Sequence, residues 1–245
     1  MLSNKVIIIT GGSGLLGAEI ISYLKKKKAI IINAEINVQT NIEDGIVNCD
    51  ITNDKSIEDL IEIVYSKHGK IDGLVNNAYP RTKDWGNKFE DVTPDSWRKN
   101  VDMQMNSIFV INQKVLEIMK KQRNGSIVNV TSIYGVVGND FTVYDNTDGM
   151  TSPAAYSAIK GGVINFTRYL ASYYGKYNLR INCVSPGGIF NHQNSNFVSN
   201  FEKKVPLQRM GSPKDIAPSI GLLLSDEASY ITGQNIIIDG GWTCI

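Results

Sequence analysis

The chain has 245 residues with Lys+Arg 25, Asp+Glu 24 and a net charge of +1, both signs being scattered along it. A length of this order buries a substantial core in one domain, and the balanced charge gives no nucleic-acid or membrane surface. Three cysteines without metal-ligand spacing exclude a disulfide framework and a thiolate metal site, and no apolar run is long enough to span a bilayer. A cytoplasmic protein without a cleavable leader is expected.

Short apolar runs alternate with helix-periodic segments. Strands are predicted near 5–10, 29–34, 45–49, 71–76, 125–131, 179–184 and 235–238, and helices near 14–27, 54–67, 94–121, 153–175 and 213–224. Near-continuous Val/Ile strands are expected in a parallel sheet covered on both faces. The alternation predicts an α/β chain, a doubly wound seven-stranded Rossmann sheet in one domain over 1–245. Ligands of such sheets lie beyond the carboxyl ends of the strands.

After the first strand comes TGGSGLLG, residues 10–17. Gly11, Gly14 and Gly17, with Ser13, Leu15 and Leu16 between them, follow a strand and open a helix, as a pyrophosphate cradle requires. That helix ends in Lys25–Lys28, where cations complement the helix dipole. The second strand leads into Glu35, which can accept hydrogen bonds from an adenosine ribose and repels a 2′-phosphate. No Arg or Lys follows it closely, so NAD(H) is expected over NADP(H).

Cys49 and Cys183 lie in strand-like stretches and read as reduced core thiols. Asp50 and Ile51 follow the third strand, Asp50 also reading as an N-cap for the next helix. Asn77 and Ala78 follow the fourth strand, and Ser132 the fifth. The spacing Tyr-x-x-x-Lys occurs at Tyr23/Lys27, Tyr79/Lys83 and Tyr156/Lys160. The first pair lies at the far end of a helix, and Pro80 interrupts the second. Only the third has a helix start ahead of it, with Ser152 as N-cap and Pro153 at the first position. That spacing sets both side chains on one face, where an ammonium lowers the pKa of a neighbouring phenol.

Asn76-Asn77-Ala78, Ser132, Tyr156-Ser-Ala-Ile-Lys160, Arg180-Ile-Asn-Cys-Val-Ser-Pro-Gly187, Gly211-Ser-Pro-Lys-Asp-Ile-Ala217 and Ile238-Asp-Gly-Gly241 stand in that order. Together they resemble the classical short-chain dehydrogenase/reductase family over essentially the whole chain. The resemblance implies Tyr156 as the proton-exchanging residue, Ser132 holding the substrate oxygen, and Lys160 supporting Tyr156 and the nicotinamide ribose. It further implies Asp50 and Ile51 near the adenine, Asn77 and Ala78 along the adenosine side, and Pro186, Gly187 and Ile189 near the nicotinamide. Gln104 stands where the family has its proton-relay asparagine, with Asn106 as the alternative. Subunits are expected to pair as homotetramers or homodimers, with Trp242 and Ile245 at a contact.

Three features depart from the family. Its glycines are usually spaced T-G-x-x-x-G-x-G, so Leu15 stands in a glycine position; Tyr79-Pro80 replaces a further glycine after Ala78. An insertion about 139–152, polar and aromatic, separates Ser132 from Tyr156, and a second polar stretch covers about 188–212. Tyr134, Tyr144 and His192 are candidate substrate contacts. Arg81, Lys83, His192 and Arg209 could meet a phosphate. The insertion resembles bacterial oxidoreductases of flagellin modification and acidic nine-carbon sugar synthesis, implying carbohydrate biosynthesis on a sugar phosphate or nucleotide sugar. A 3-oxoacyl-type reductase and a nonenzymatic dinucleotide-sensing protein are the alternatives.

Overall fold

The computed structural model describes residues 2–245. Strands β1 (Val6–Thr10), β2 (Ile30–Glu35), β3 (Ile46–Asn48), β4 (Gly73–Asn76), β5 (Gly125–Val130), β6 (Leu179–Pro186) and β7 (Asn235–Ile238) form a seven-stranded sheet. Its order is β3-β2-β1-β4-β5-β6-β7 and every ladder is parallel. The helices are α1 (Leu15–Lys26), α2 (Asp54–His68), α3 (Pro94–Val101), α4 (Ser107–Gln122), α5 (Ala154–Tyr174), α6 (Ser195–Glu202) and α7 (Pro213–Leu224).

The pleat sorts β1 between two cores. Val6 and Ile8 face the apolar sides of α2, α4 and α5, while Ile7 and Ile9 face α1 and α7. Each such buried side chain contributes about 1.5–3 kcal/mol relative to exposure. This two-sided burial explains why the strands read as unbroken apolar runs rather than alternating ones. Cys49 and Cys183 are buried, and desolvation pushes both thiols up to about 11. Among the described residues no helix is long and apolar enough to cross a membrane.

Several boundaries differ from expectation. The helix predicted over 94–121 is broken by a π-helical turn at Asp102–Asn106 that buries Gln104. The Ser107 hydroxyl donates to the Met103 carbonyl at 2.7 Å there, and such turns mark sites where one side chain is re-aimed. Helix α5 starts at Ala154 with Pro153 at the cap; Ser152 does not cap it but accepts from Asn139 Nδ2. Asn53, not Asp50, caps α2 by accepting from Ser56 N at 3.1 Å, and Asp50 accepts from Thr52 N and Oγ1 instead.

Helix α6 lies in the stretch expected as a loop. Its polar sequence hides one apolar pair, Phe197 and Phe201, spaced a turn apart and buried. Phe201 stacks on Trp242 at 4.4 Å, so Trp242 belongs to an internal cluster rather than a subunit contact, whereas Ile245 is exposed. The insertion joins the same cluster through buried Val143, which packs it against α6.

Candidate active site

The sheet order reverses between β1 and β4, and the carboxyl ends of these two strands open the crevice where ligands of such sheets bind. Gly11 leaves β1 with φ +65°, and its N–H donates to the Ala34 carbonyl at 2.9 Å. A Cβ on Gly17 would stand 2.4 Å from the Gly11 carbonyl oxygen and 2.7 Å from Gly12 Cα. Gly14, the N-cap of α1, has only that oxygen near a notional Cβ, at 3.4 Å. Close approach therefore demands glycine at 11 and 17, while Leu15 is 47% exposed at the rim of the cleft. The altered spacing is accommodated because Leu15 begins the helix on its open side.

Neighbouring strands lace this turn in place. Thr10 Oγ1 accepts from the N–H groups of Asn77 and Ala78, both at 3.0 Å. Asn77 Nδ2 donates to the carbonyls of Thr10 at 3.1 Å and Gly11 at 2.9 Å. Asn33 Oδ1 accepts from Gly12 N at 3.0 Å, and Glu35 Oε2 from Ser13 N at 3.0 Å. Thr10 and Asn33 were not among the predicted residues; each sits at or near a strand end, and their polarity there was the available signal.

A cleft of about 410 Å³ results. Gly11, Gly14, Leu15, Leu16, Glu35, Asp50, Ile51, Asn77 and Ala78, all candidate cofactor residues, line it together with Tyr79 and Pro80. Ser13 and Gly17 shape the turn without lining the cleft. Pro186, Gly187 and Ile189, at the end of β6, lie outside that lining, Gly187 N donating to Ile238 O at 2.9 Å.

Ser132 ends the β5 excursion, 5% exposed, its hydroxyl accepting from Tyr134 N at 3.2 Å. Tyr156 and Lys160 share one face of α5 a turn apart. Lys160 Nζ is 5.6 Å from the centre of the Tyr156 ring and donates to the Val130 carbonyl at 3.0 Å. Desolvation lowers Lys160 to about 8. Tyr156 moves opposite to the sequence expectation: burial raises its phenol above the ordinary value, with the Ser132 hydrogen bond working against that. A phenol shifted in this direction is suited to donating a proton.

Gln104 is 3% exposed, and neither amide atom has a hydrogen-bond partner within the protein. Such a group is satisfied by a water or ligand, since orphaning it costs about 1–3 kcal/mol. Asn106 is exposed and donates to Asp102 at 2.7 Å, so the π turn sends Gln104 inward and Asn106 outward.

The Tyr134 hydroxyl is buried and unpartnered. Tyr144, brought in by the insertion, raises it further after burial itself. His192 is exposed, has φ +56° and packs edge-on against Phe190 at 5.1 Å, away from these phenols in its contacts. Arg209 is engaged bidentately by Asp215 at 2.8 and 2.9 Å, so it is not a free phosphate ligand. Among the described residues no cluster of His, Cys, Asp and Glu could hold a metal ion.

A family model described as enoyl-(acyl carrier protein) reductase matches residues 17–243. Post-translational flagellin modification protein A of Campylobacter coli is 32% identical over 255 residues, covering 99% of this chain and 99% of that protein. The 3-oxoacyl-[acyl-carrier-protein] reductase of Chlamydia pneumoniae is 32% identical over 257 residues, covering 99% of this chain and 98% of its own length. Among solved structures, a short chain dehydrogenase from Leptospira borgpetersenii with bound NAD+ superposes with a TM-score of 0.88 at 35% identity, covering 99% of this chain and 94% of that one. The seven-stranded parallel sheet and the matches along nearly the full length have one meaning: the chain belongs to the short-chain dehydrogenase/reductase family and is an oxidoreductase.

Proposed function

We propose that this oxidoreductase prefers NAD(H) and interconverts a secondary alcohol and a ketone on a polar, sugar-derived substrate, a sugar phosphate or nucleotide sugar. The reading is carried by the half-buried Tyr156 beside Ser132, by the buried Lys160 one turn on, and by the unpartnered hydroxyl of Tyr134. A buried phenol without a partner favours a substrate that brings hydroxyl groups over a fatty chain. The 32% identity to a flagellin modification protein adds weight to surface-glycan or flagellin modification as the setting.

The cofactor fits these residues: Gly11 and Gly17 form a turn that a Cβ would fill, and the unpaired N–H groups at the start of α1 suit a pyrophosphate. Gly11, Ser13, Gly14, Leu15, Leu16 and Gly17 would hold it there. Glu35 would take the adenosine ribose, Asp50 and Ile51 the adenine, and Asn77 and Ala78 the adenosine side. Tyr156 and Lys160 would flank the nicotinamide ribose, with Pro186, Gly187 and Ile189 beyond. When bound, NAD(H) supplies or accepts the hydride. A carboxylate at Glu35 repels a 2′-phosphate, hence NAD(H) over NADP(H).

In the reduction direction Ser132 hydrogen-bonds the carbonyl oxygen and Tyr156 donates its proton to that oxygen as it gains charge. Lys160 keeps a positive charge beside the resulting phenolate. Gln104 holds a water that carries the replacement proton inward. Two copies pair through the face where Phe109, Tyr169 and Tyr173 stand exposed on α4 and α5.

Relatives at the same 32% identity reduce 3-oxoacyl groups, which keeps that activity as the second reading. NADH consumption with hexose phosphates, nucleotide-linked ketosugars and acetoacetyl-coenzyme A separates them. Turnover confined to the sugar class supports the proposal, and turnover confined to the acyl thioester replaces it.

A further inference from the structure

Tyr79 stands where the family usually has a glycine, and its ring enters the reaction centre. It meets Tyr156 edge-on with centroids 5.7 Å apart, and Trp85 meets it at 5.7 Å and Tyr156 at 6.3 Å, all three pairs close to perpendicular. This is the geometry aromatic quadrupoles prefer. The ring belongs to the cleft lining as well, and Lys160 Nζ lies 5.4 Å from its centre.

The loop that delivers these rings is anchored. Asn100 of α3, 2% exposed, accepts from Thr82 N at 3.2 Å and donates to Thr82 Oγ1 at 2.8 Å. Trp85 N closes the turn on the Thr82 carbonyl at 3.3 Å, and its side chain packs on the cluster of Ile108, Ala155, Ile159 and Val163. Next along the chain, Arg81 is exposed, and its guanidinium rests 5.4 Å from the Tyr79 ring centre. Its charge is thus fixed over an aromatic face at the edge of the centre.

We propose that Tyr79, Trp85 and Arg81 form a recognition site for a phosphorylated, hydroxylated ring. The rings of Tyr79 and Trp85 take its C–H face, and Arg81 takes its phosphate. An aromatic corner, the Tyr79 ring with Trp85 standing edge-on to it, suits a pyranose, whose axial hydrogens make one face apolar while its hydroxyls point around the rim. A guanidinium suits phosphate, which it meets with paired N–H donors. A glycine at position 79 would leave that side of Tyr156 without a wall. The site deepens the sugar reading and depends on it only for the hydroxylated, phosphorylated character of the ring.

Saturation-transfer difference NMR on the full-length enzyme with saturating NADH tests this, using glucose 6-phosphate and cyclohexanol as probes. Irradiating aromatic protons should transfer saturation to the ring C–H protons of both. Tyr79→Gly and Trp85→Ala should reduce that transfer at least fivefold, and Tyr79→Phe should retain it. Arg81→Gln should weaken retention of glucose 6-phosphate about tenfold and leave cyclohexanol unchanged. Circular dichroism and thermal melting serve as controls for folding, and Tyr79→Leu replaces Tyr79→Gly if the glycine variant unfolds. Ring-dependent transfer to cyclohexanol but none to glucose 6-phosphate keeps the aromatic wall while overturning the phosphate site and weakening the sugar reading. No aromatic transfer to either probe, or transfer unchanged in Tyr79→Gly and Trp85→Ala, overturns the proposal.

Discussion

Lys160 Nζ donates to the Val130 carbonyl at 3.0 Å, which fixes the ammonium at the end of β5 below the Tyr156 ring. With burial holding Lys160 at about 8, its charge is present below that pH and lost above it. The rate of ketone reduction should therefore decline on the alkaline side with an apparent pKa near 8. Lys160→Arg keeps a positive charge at every accessible pH, so the limb should move upward even as the rate falls. A limb unmoved in that variant assigns it to another group. The sign for stability is the reverse: between about 8 and the ordinary 10.5 the unfolded chain binds the extra proton, so this group's contribution to stability rises with pH across that window. Comparing urea midpoints of wild type and Lys160→Met across it checks the slope.

Gly17→Ala places a methyl 2.4 Å from the Gly11 carbonyl oxygen, in backbone that cannot yield cheaply. We expect a loss of about 1–3 kcal/mol, the range for an overpacked site, together with at least tenfold weaker NADH binding. Gly14→Ala meets only ordinary contact at 3.4 Å and should change stability little. Chemical denaturation and NADH fluorescence titration of the two variants check the contrast.

The Glu35 carboxylate accepts from Ser13 N and Ile36 N, which orients it at the cleft wall. NADH should bind at least tenfold tighter than NADPH, and Glu35→Ser should narrow that gap mainly by improving NADPH. Equal affinities in wild type would remove Glu35 as the discriminating group.

The insertion is tied to α6 by Asn200 Nδ2 donating to the Asp145 carbonyl at 3.0 Å, and to the turn after α6 by a Lys204–Asp140 ion pair. Tyr144 packs on Phe197 with ring centres 5.3 Å apart. Deleting residues 140–148 therefore removes buried Val143 and uncovers Phe197. A lower melting temperature and a raised KM for the substrate are expected, with NADH affinity preserved. Unchanged substrate selectivity would make the segment a surface ornament.

The doubly wound sheet was readable because buried parallel strands leave unbroken Val/Ile runs, and the Tyr156/Lys160 pair because a helix start stands ahead of it. The π turn at Gln104 was not, since periodicity cannot register one extra residue inside a continuous helix. Helix α6 escaped because its apolar content reduces to Phe197, Phe201 and Val198 in a polar stretch. Trp242 looked like a contact residue because terminal aromatics carry no sign of the chain that folds over them; Phe201 does so here. Tyr79 and Trp85 approach Tyr156 only through the Asn100–Thr82 anchor, a contact that spacing does not announce. The upward shift of Tyr156 is not legible in the sequence because burial, with the Tyr144 phenol adding to it, outweighs the Ser132 hydrogen bond, and burial has no sequence signature as specific as charge.

The central claim is that Tyr156 transfers the proton while the cofactor site stands independently of it. The most direct measurement compares Tyr156→Phe with wild type for steady-state turnover of the best ketone substrate and for NADH affinity. Positioned proton transfer contributes about 10²–10⁴-fold, so kcat should fall by that order with the NADH dissociation constant within about threefold of wild type. Turnover retained within a factor of about three in Tyr156→Phe, with NADH binding intact, would contradict the account.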